Sequence, residues 1–376
     1  MRRKDGGPKI RALRSKPVFQ NGLRAYQKQN KISQDHAANA SLHSVVSLFS
    51  GCGGLDLGFQ GGFSVFGRNY PRLPFEITAA YDNFTDAVET YKLNLGDEIS
   101  CLDLAENQIS RIPAADILMG GFPCQDFSSS GPKVGIKGKR GQLYQALTHY
   151  MEQYRPKIVI GENVPHLARL DGGRHLDHII SEYESVGYSF QVWELYCPVY
   201  GLPQSRRRLF LVGTRDDLPG FPVKPKPTHN NGYFTIDDAL SDLEPITDES
   251  IPNQSQYFVA SRATAGGGQG DHTNKRGEVA YCIRANARGR IQFHYRLDRR
   301  LTVRECARLQ SFPDNYIFPY TTQRNLTLIG NAVPPIIGYR VAESVNKYLS
   351  GLNEKQFSVR HEVPKNRIMK QLGLKL

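Results

Sequence analysis

A thiol, a carboxyl and two guanidinium groups are the parts of this sequence that could do covalent chemistry together. The thiol is Cys124, which follows Phe122-Pro123 and precedes Gln125 and the polar loop Ser128-Ser129-Ser130-Gly131. The run Asp116 to Met119 ahead of it reads as a buried strand, so Cys124 falls at a sheet rim where a thiolate can act as a nucleophile. A cysteine inside a cell is ordinarily a small core residue; this one differs in the polar residues that follow it. No histidine stands in the pattern of a Cys–His hydrolase, which disfavours a protease. The carboxyl is Glu162, with Asn163-Val164, closing the apolar run Lys157 to Ile160. Its bland alternative is an acid at a helix start. The guanidinium groups belong to Gln204-x-Arg206-x-Arg208, just before Leu209-Phe210-Leu211-Val212. Alternation along a strand predicts Gln204, Arg206 and Arg208 on one face, the alternative being an exposed edge strand. A nucleophile, a carboxyl able to hold a proton and a charged fork are what activation of a heteroaromatic ring by addition requires.

A second chemistry is suggested upstream, where Val45-Val46-Ser47-Leu48 runs into Phe49-Ser50-Gly51-Cys52-Gly53-Gly54-Leu55. Gly51-x-Gly53 after a strand is similar to a dinucleotide fingerprint, but the third glycine would fall at Asp56. The turn keeps a close backbone approach and lacks a pyrophosphate cradle, as an adenosyl cofactor without phosphates would require. Asp82 ends the next apolar run and is positioned to accept from ribose hydroxyls, with Asp103 following past another strand end. The alternative is an ordinary structural turn.

These residues need a scaffold, and its rhythm is legible. Val45–Phe49, Glu76–Tyr81, Ala115–Met119 and Lys157–Ile160 read as strands, and Gln142–Tyr154 as a helix. Strands alternating with helices predict an α/β fold with a mostly parallel sheet. Gly51, Asp82, Cys124 and Glu162 all fall just past the carboxyl ends of strands, the edge where open α/β sheets bind ligands. After Thr214 the texture changes. The stretch from Leu218 to Pro227 is proline-rich, and Gly266 to Gly270 is a glycine run, so residues 215–299 read as a loop-rich smaller domain. Thr302-Val303-Arg304-Glu305 is a capping box opening a helix through Gln310. A last helix begins at Pro334-Pro335 and lines up Ile337, Val341, Val345 and Leu349.

Length and charge bound the rest. A chain of 376 residues fits one large domain or a large and a small one. Its net charge of +12 favours a polyanionic partner such as nucleic acid. Residues 1–44 carry ten basic side chains against two acidic ones, a basic arm that either contacts phosphates or is simply solvated. No apolar run is long enough to span a bilayer, and the basic start leads into no secretory apolar segment. The six cysteines have no metal-ligand spacing, so no metal is expected and they read as thiols of a reducing, cytoplasmic setting.

Taken in order, these motifs resemble the DNA (cytosine-5-)methyltransferases of the bacterial restriction-modification type. The resemblance rests on Phe49-x-Gly51-x-Gly53-Gly54, Pro123-Cys124-Gln125, Glu162-Asn163-Val164 and Gln204-x-Arg206-x-Arg208. It extends to Arg304-Glu305-x-Ala307-Arg308-Leu309-Gln310-x-Phe312-Pro313 and Gly330-Asn331-Ala332-Val333-Pro334. It implies a Rossmann-like S-adenosylmethionine-dependent methyltransferase sheet with a smaller loop-rich target-recognition domain. The divisions expected are an arm over 1–44, a catalytic and cofactor domain over 45–214, a target-recognition domain over 215–325, a returning helix over 326–350 and a basic tail over 351–376.

The resemblance also implies roles. Cys124 would add to C6 of cytosine, Glu162 would hold a proton at N3, and Arg208 would bind the O2 side with Arg206 in support. S-adenosyl-L-methionine would be held by Phe49, Gly51, Gly53, Gly54, Leu55, Asp82, Asn83, Asp103, Leu104, Pro123, Leu143, Asn331 and Ala332. Double-stranded DNA, with the target base flipped out, would meet Ser128, Ser130, Lys133, Arg140, Gln204, Arg262, Arg284 and Arg288. A monomer paired in function with a restriction endonuclease is implied. One departure is Asp82-Asn83, where the family more usually has Glu and a bulky apolar residue; Asn83 would stack poorly on adenine. An amino-methyltransferase would need Asp/Asn-Pro-Pro-Tyr/Phe, which is absent. Ribosomal-type RNA cytosine methyltransferases pair their cysteines differently. A tRNA-directed member shares these motifs and stays open, whereas a DNA-binding regulator is disfavoured because every catalytic position is intact.

Overall fold

The structure is a computed structural model that describes residues 42–104, 109–123, 143–246, 272–286 and 292–354. In chain order the first half contains β1 (His43–Leu48), α1 (Gly54–Gln60), the hairpin β2 (Phe63–Val65) and β3 (Arg68–Tyr70), β4 (Phe75–Asp82) and α2 (Thr85–Asn94). β5 (Ile99–Cys101), β6 (Ile117–Gly120), α3 (Gln145–Tyr154) and β7 (Ile158–Asn163) follow. Then come α4 (Arg174–Ser185), β8 (Tyr188–Tyr196) and β9 (Arg207–Arg215). The remainder holds α5 (Ile236–Leu240), the short strands β10 (His272–Thr273) and β11 (Gln292–Phe293), α6 (Val303–Leu309), α7 (Thr322–Asn331) and α8 (Pro335–Glu354).

Seven strands form one sheet in the order β5-β4-β1-β6-β7-β9-β8. The first five are parallel to one another, while β9 runs antiparallel to both β7 and β8. The central strands are apolar on both faces, as a sheet covered by helices on both sides demands. Val45, Ile77, Ile117 and Ile160 point to a core shared with Leu55 and Phe59 of α1 and with Ile337, Val341, Val345 and Leu349 of α8. Val46, Leu118 and Val159 face a second core containing Leu147 and Met151 of α3 and Ile179 and Tyr183 of α4. Each such side chain contributes about 1.5–3 kcal/mol by leaving water, and together they fix the strand ends that carry the chemistry.

The smaller region has its own core of Ile236, Leu240, Ile283, Val303, Leu309 and Phe312, which also takes Cys52 and Leu57. The expected capping box is present: Thr302 Oγ1 accepts from Glu305 N at 3.1 Å, and the Glu305 carboxylate accepts from Thr302 N at 2.8 Å. Arg299 adds two bonds to the same buried carboxylate, at 2.8 and 2.7 Å. A second capping box, Thr235 with Asp238, opens α5 and was not expected.

The described elements differ from the expected ones in detail. The helix expected from Gln142 is described from Gln145. β9 is an interior strand, with β8 covering its far side. β8 escapes a strict alternation because both its faces are largely apolar, with Gln191 interrupting one and Glu194 the other. The division expected at 325/326 falls inside α7, and the C-terminal wall is two helices broken at Pro334-Pro335. The arm, the loop 124–142, the glycine run 266–270 and the tail lie outside the described residues.

Candidate active site

Three strand ends converge at one point of the sheet's carboxyl edge. β6 runs out through Gly121, where a Cβ would sit 3.3 Å from Glu162 Oε2 and 3.9 Å from the carbonyl oxygen of Phe49. A side chain at Gly121 would crowd the Glu162 carboxylate where the ends of β1, β6 and β7 meet. Asn163 Nδ2 donates to Phe122 O at 3.0 Å, and Asn163 Oδ1 accepts from Val164 N at 2.9 Å. The Glu162-Asn163 pair thus aims one side chain at the cleft and uses the other to pin Phe122-Pro123. Cys124, the next residue, lies outside the described residues, as do Ser128, Ser130, Lys133, Arg140, Arg262 and Arg288.

Glu162 and Arg208 form a nearly buried ion pair, Arg208 Nε to Glu162 Oε1 at 2.7 Å. Antiparallel pairing sets it up, because Asn163 registers with Leu209 and leaves Arg208 just beyond the end of β7. Burial pushes the Glu162 carboxyl above its ordinary range, against the downward pull of the Arg208 and Arg206 charges. A carboxyl lifted in this way holds a proton more readily than an exposed one, beside a donor that cannot lose its charge.

Gln204, Arg206 and Arg208 do not share a strand face, because β9 begins at Arg207. The residues before it pair elsewhere: Gln204 bridges Ala280, and Ser205 N donates to Ala280 O at 2.7 Å. Gln204 is fully buried, donating to Leu309 O at 2.8 Å and accepting from Ile283 N at 3.0 Å. It therefore has no surface to offer a DNA groove, which corrects its expected DNA contact. Arg206 is 1% exposed and donates to Ile283 O (2.9 Å), Gly330 O (2.9 Å) and Ala332 O (2.7 Å). Three carbonyls take its Nη1 and Nη2 groups, while its buried Nε has no hydrogen-bond partner among the described residues. Arg284, the remaining described DNA candidate, is exposed beside the pinned Ile283.

The glycine turn holds the other half of the site. Gly51 N donates to Asp82 Oδ2 at 2.9 Å and Phe84 N to Asp82 Oδ1 at 2.8 Å. Gly51 has φ +59 and nothing within 4 Å of where a Cβ would be, so the turn is open on that side. Phe49, entering it, is itself held at φ +56, a strained value for a non-glycine residue that recurs at functional sites. Gly53 and Gly54 serve packing instead. A Cβ on Gly53 would strike Leu95 and Tyr91, and one on Gly54 would sit 2.2 Å from Val333 O. Leu55 and Leu104 are buried in the cores, Ala332 is buried, Pro123 and Leu143 are half-buried, and Asn83, Asp103 and Asn331 are exposed. The Asp82 carboxylate already occupies the turn's amide and would repel a phosphate there. An accepting carboxylate there fits ribose hydroxyls and not phosphates. Phe84, next to Asp82 in the turn, is 42% exposed. Burial drives the Cys52 thiol far up, which makes it inert.

Comparison with known proteins bears on this geometry. The C-5 cytosine-specific DNA methylase family matches residues 43–262 and 248–347. Type II methyltransferase M.NgoFVII of Neisseria gonorrhoeae is 34% identical over 345 residues, covering 83% of this chain and 88% of that protein. Type II methyltransferase M.MthTI of Methanothermobacter thermautotrophicus is 30% identical, covering 82% of this chain and 98% of its own. Among solved structures, the Dnmt2 methyltransferase of S. pombe shares the fold at a TM-score of 0.54 and 18% identity, covering 83% of this chain and 99% of that one. With the motif-bearing strand ends brought to one edge and the family matched along most of its length, this chain belongs to the C-5 cytosine-specific DNA methylases.

Proposed function

We propose that the protein transfers the methyl group of S-adenosylmethionine to C5 of cytosine in a specific duplex sequence, through covalent attack of Cys124 on C6. The observation that carries this reading is the buried Glu162–Arg208 pair standing beside the pinned Phe122-Pro123 end of β6. C5 of cytosine is a weak nucleophile. As the Cys124 sulfur bonds to C6, an electron pair moves onto the ring and C5 becomes reactive. Glu162 holds a proton at N3 and Arg208 donates at O2, so the charge pushed into the ring is neutralised where it collects. Bound S-adenosylmethionine supplies an electrophilic methyl group. Asp82 would accept from its ribose hydroxyls, and the exposed Phe84 ring would offer adenine the apolar face that Asn83 lacks. C5 takes that methyl group as its bond to the sulfonium sulfur breaks; a base then removes the C5 proton, and the electron pair left behind restores the C5–C6 double bond as the sulfur–C6 bond breaks, freeing the thiolate.

A base stacked in a duplex cannot meet a thiol and a methyl donor on its ring, so the target nucleotide is flipped out. Lys133, Lys137, Lys139 and Arg140, which follow Cys124 in the sequence, are suited to hold phosphates around it. Similarity to Type II methyltransferases supports a role in protecting DNA from a cognate endonuclease, and we infer a monomer acting in the cytoplasm. No helix among the described residues is long and apolar enough to cross a membrane.

Incubating the purified protein with duplex DNA and labelled S-adenosylmethionine, then reading the product by bisulfite sequencing, tests the reaction. Protected cytosines at one recurrent sequence are expected; label in N4-methylcytosine or N6-methyladenine would refute it. We assign sequence choice to residues 215–299, where Arg262, Arg284 and Arg288 carry forks suited to base edges. Exchanging this segment for that of a relative with a different site is expected to move the mark to the relative's sequence. An active chimera that still marks the original site would place specificity elsewhere.

A further inference from the structure

The two arginines of the Gln204-x-Arg206-x-Arg208 run serve different pockets. Arg208 meets Glu162, whereas Arg206 donates to Gly330 O and Ala332 O at the carboxyl end of α7. The last carbonyls of a helix have no partner within it, and its negative end favours a cation. Gln310 completes this cap, its Nε2 donating to Ile329 O at 3.0 Å and to Ala332 O at 2.7 Å. Gln204 Nε2 in turn donates to Gln310 Oε1.

The residues just past this cap press on the glycine turn. Val333 O occupies the space a Cβ on Gly54 would need, and the Cys52 thiol donates to Leu328 O at 3.6 Å. Gly51 of the same turn donates to Asp82. A continuous chain of packed and hydrogen-bonded groups therefore runs from Asp82, through the turn and the end of α7, to Arg206 and so to Arg208.

We propose that Gln204, Arg206 and Gln310 form a latch that couples filling of the cofactor pocket to the placement of Arg208 against the target ring. All three are positioning residues, since none reaches the cleft. A fully buried guanidinium held by three carbonyls cannot drift independently of them, so a shift of the turn on cofactor binding is passed to the segment bearing Arg208. By linkage the coupling is reciprocal: duplex binding tightens the cofactor by the same factor as the cofactor tightens the duplex. The inference rests on the proposed reading of this cleft as a two-substrate methyl-transfer site.

The test titrates S-adenosylhomocysteine into the full-length protein by calorimetry, with and without a duplex bearing the methylated sequence. In the wild type the duplex is expected to tighten S-adenosylhomocysteine by ~10-fold, within the usual range for coupled sites. In Arg206→Lys, which keeps the charge but not the fork, and in Gln204→Met, which is close in volume, the factor is expected to fall below about twofold. Each ligand alone still binds these variants, and kcat falls more than KM for DNA rises. Circular dichroism establishes that each variant is folded, and Gln204→Met carries the test if Arg206→Lys is not. A wild type that binds no S-adenosylhomocysteine refutes the cofactor reading and the latch with it. A wild type that binds both ligands without coupling, or folded variants that keep the full factor, refutes the latch alone.

Discussion

Cys124→Ala is expected to abolish methyl transfer, lowering turnover by on the order of 10⁴–10⁶-fold, as loss of a covalent nucleophile does in other enzymes. Without the sulfur no electron pair is pushed onto C5, and the remaining groups can only bind and orient the ring. Duplex affinity should be retained, because the thiol contributes neither charge nor a strong hydrogen bond to phosphates. Cys124→Ser should be nearly as inactive, its hydroxyl being a far weaker nucleophile at neutral pH. Label transfer from S-adenosylmethionine, with gel-shift measurement of duplex binding, separates the two effects. Substantial methylation by either variant would remove Cys124 from the mechanism.

Glu162→Gln should cost about 10²–10³-fold in kcat, the span expected when a general acid is lost from a positioned site. Glutamine fills the same volume beside Gly121 and can still donate a hydrogen bond at N3, so DNA affinity should change little. What it cannot do is deliver a proton. Burial raises the Glu162 carboxyl in the structure, so its protonated form persists to higher pH than that of an exposed glutamate. Activity should therefore fall as pH rises through that raised value, and the variant should lose this alkaline limb. A single-turnover pH–rate profile for both proteins checks the claim; an unchanged limb in Glu162→Gln would assign the titration to another group.

The parts legible in the sequence were those fixed by local rules. Glycines after Leu48, Asp82 at a strand end and Glu162 closing an apolar run all obey the preference of parallel sheets for ligands at their carboxyl edge. The capping box at Thr302 and the stripe of α8 are likewise local patterns, and both match the described helices. What escaped reading depends on distant partners. Gln204 and Arg206 looked like alternate strand positions, but Ala280, Ile283, Gly330 and Ala332 draw them away from β9. No periodicity reports a partner more than seventy residues away. Gln310 was visible only as part of a motif, with nothing to say that its amide closes a helix end. Phe84 stands at helical spacing with Ala87, Val88 and Tyr91, yet as the residue flanking α2, tied back to Asp82, it is exposed.

The account stands or falls on a bond between Cys124 and cytosine. A duplex carrying 5-fluorocytosine at the methylated position blocks the last step, because fluorine cannot leave C5 as the proton does. Incubation with S-adenosylmethionine should yield a denaturation-resistant complex. Peptide mass spectrometry should then locate the modified nucleotide on the segment bearing Pro123-Cys124-Gln125. Failure to trap any complex with a duplex that the protein methylates, or a cross-link on Cys101 or Cys282 instead, would contradict it.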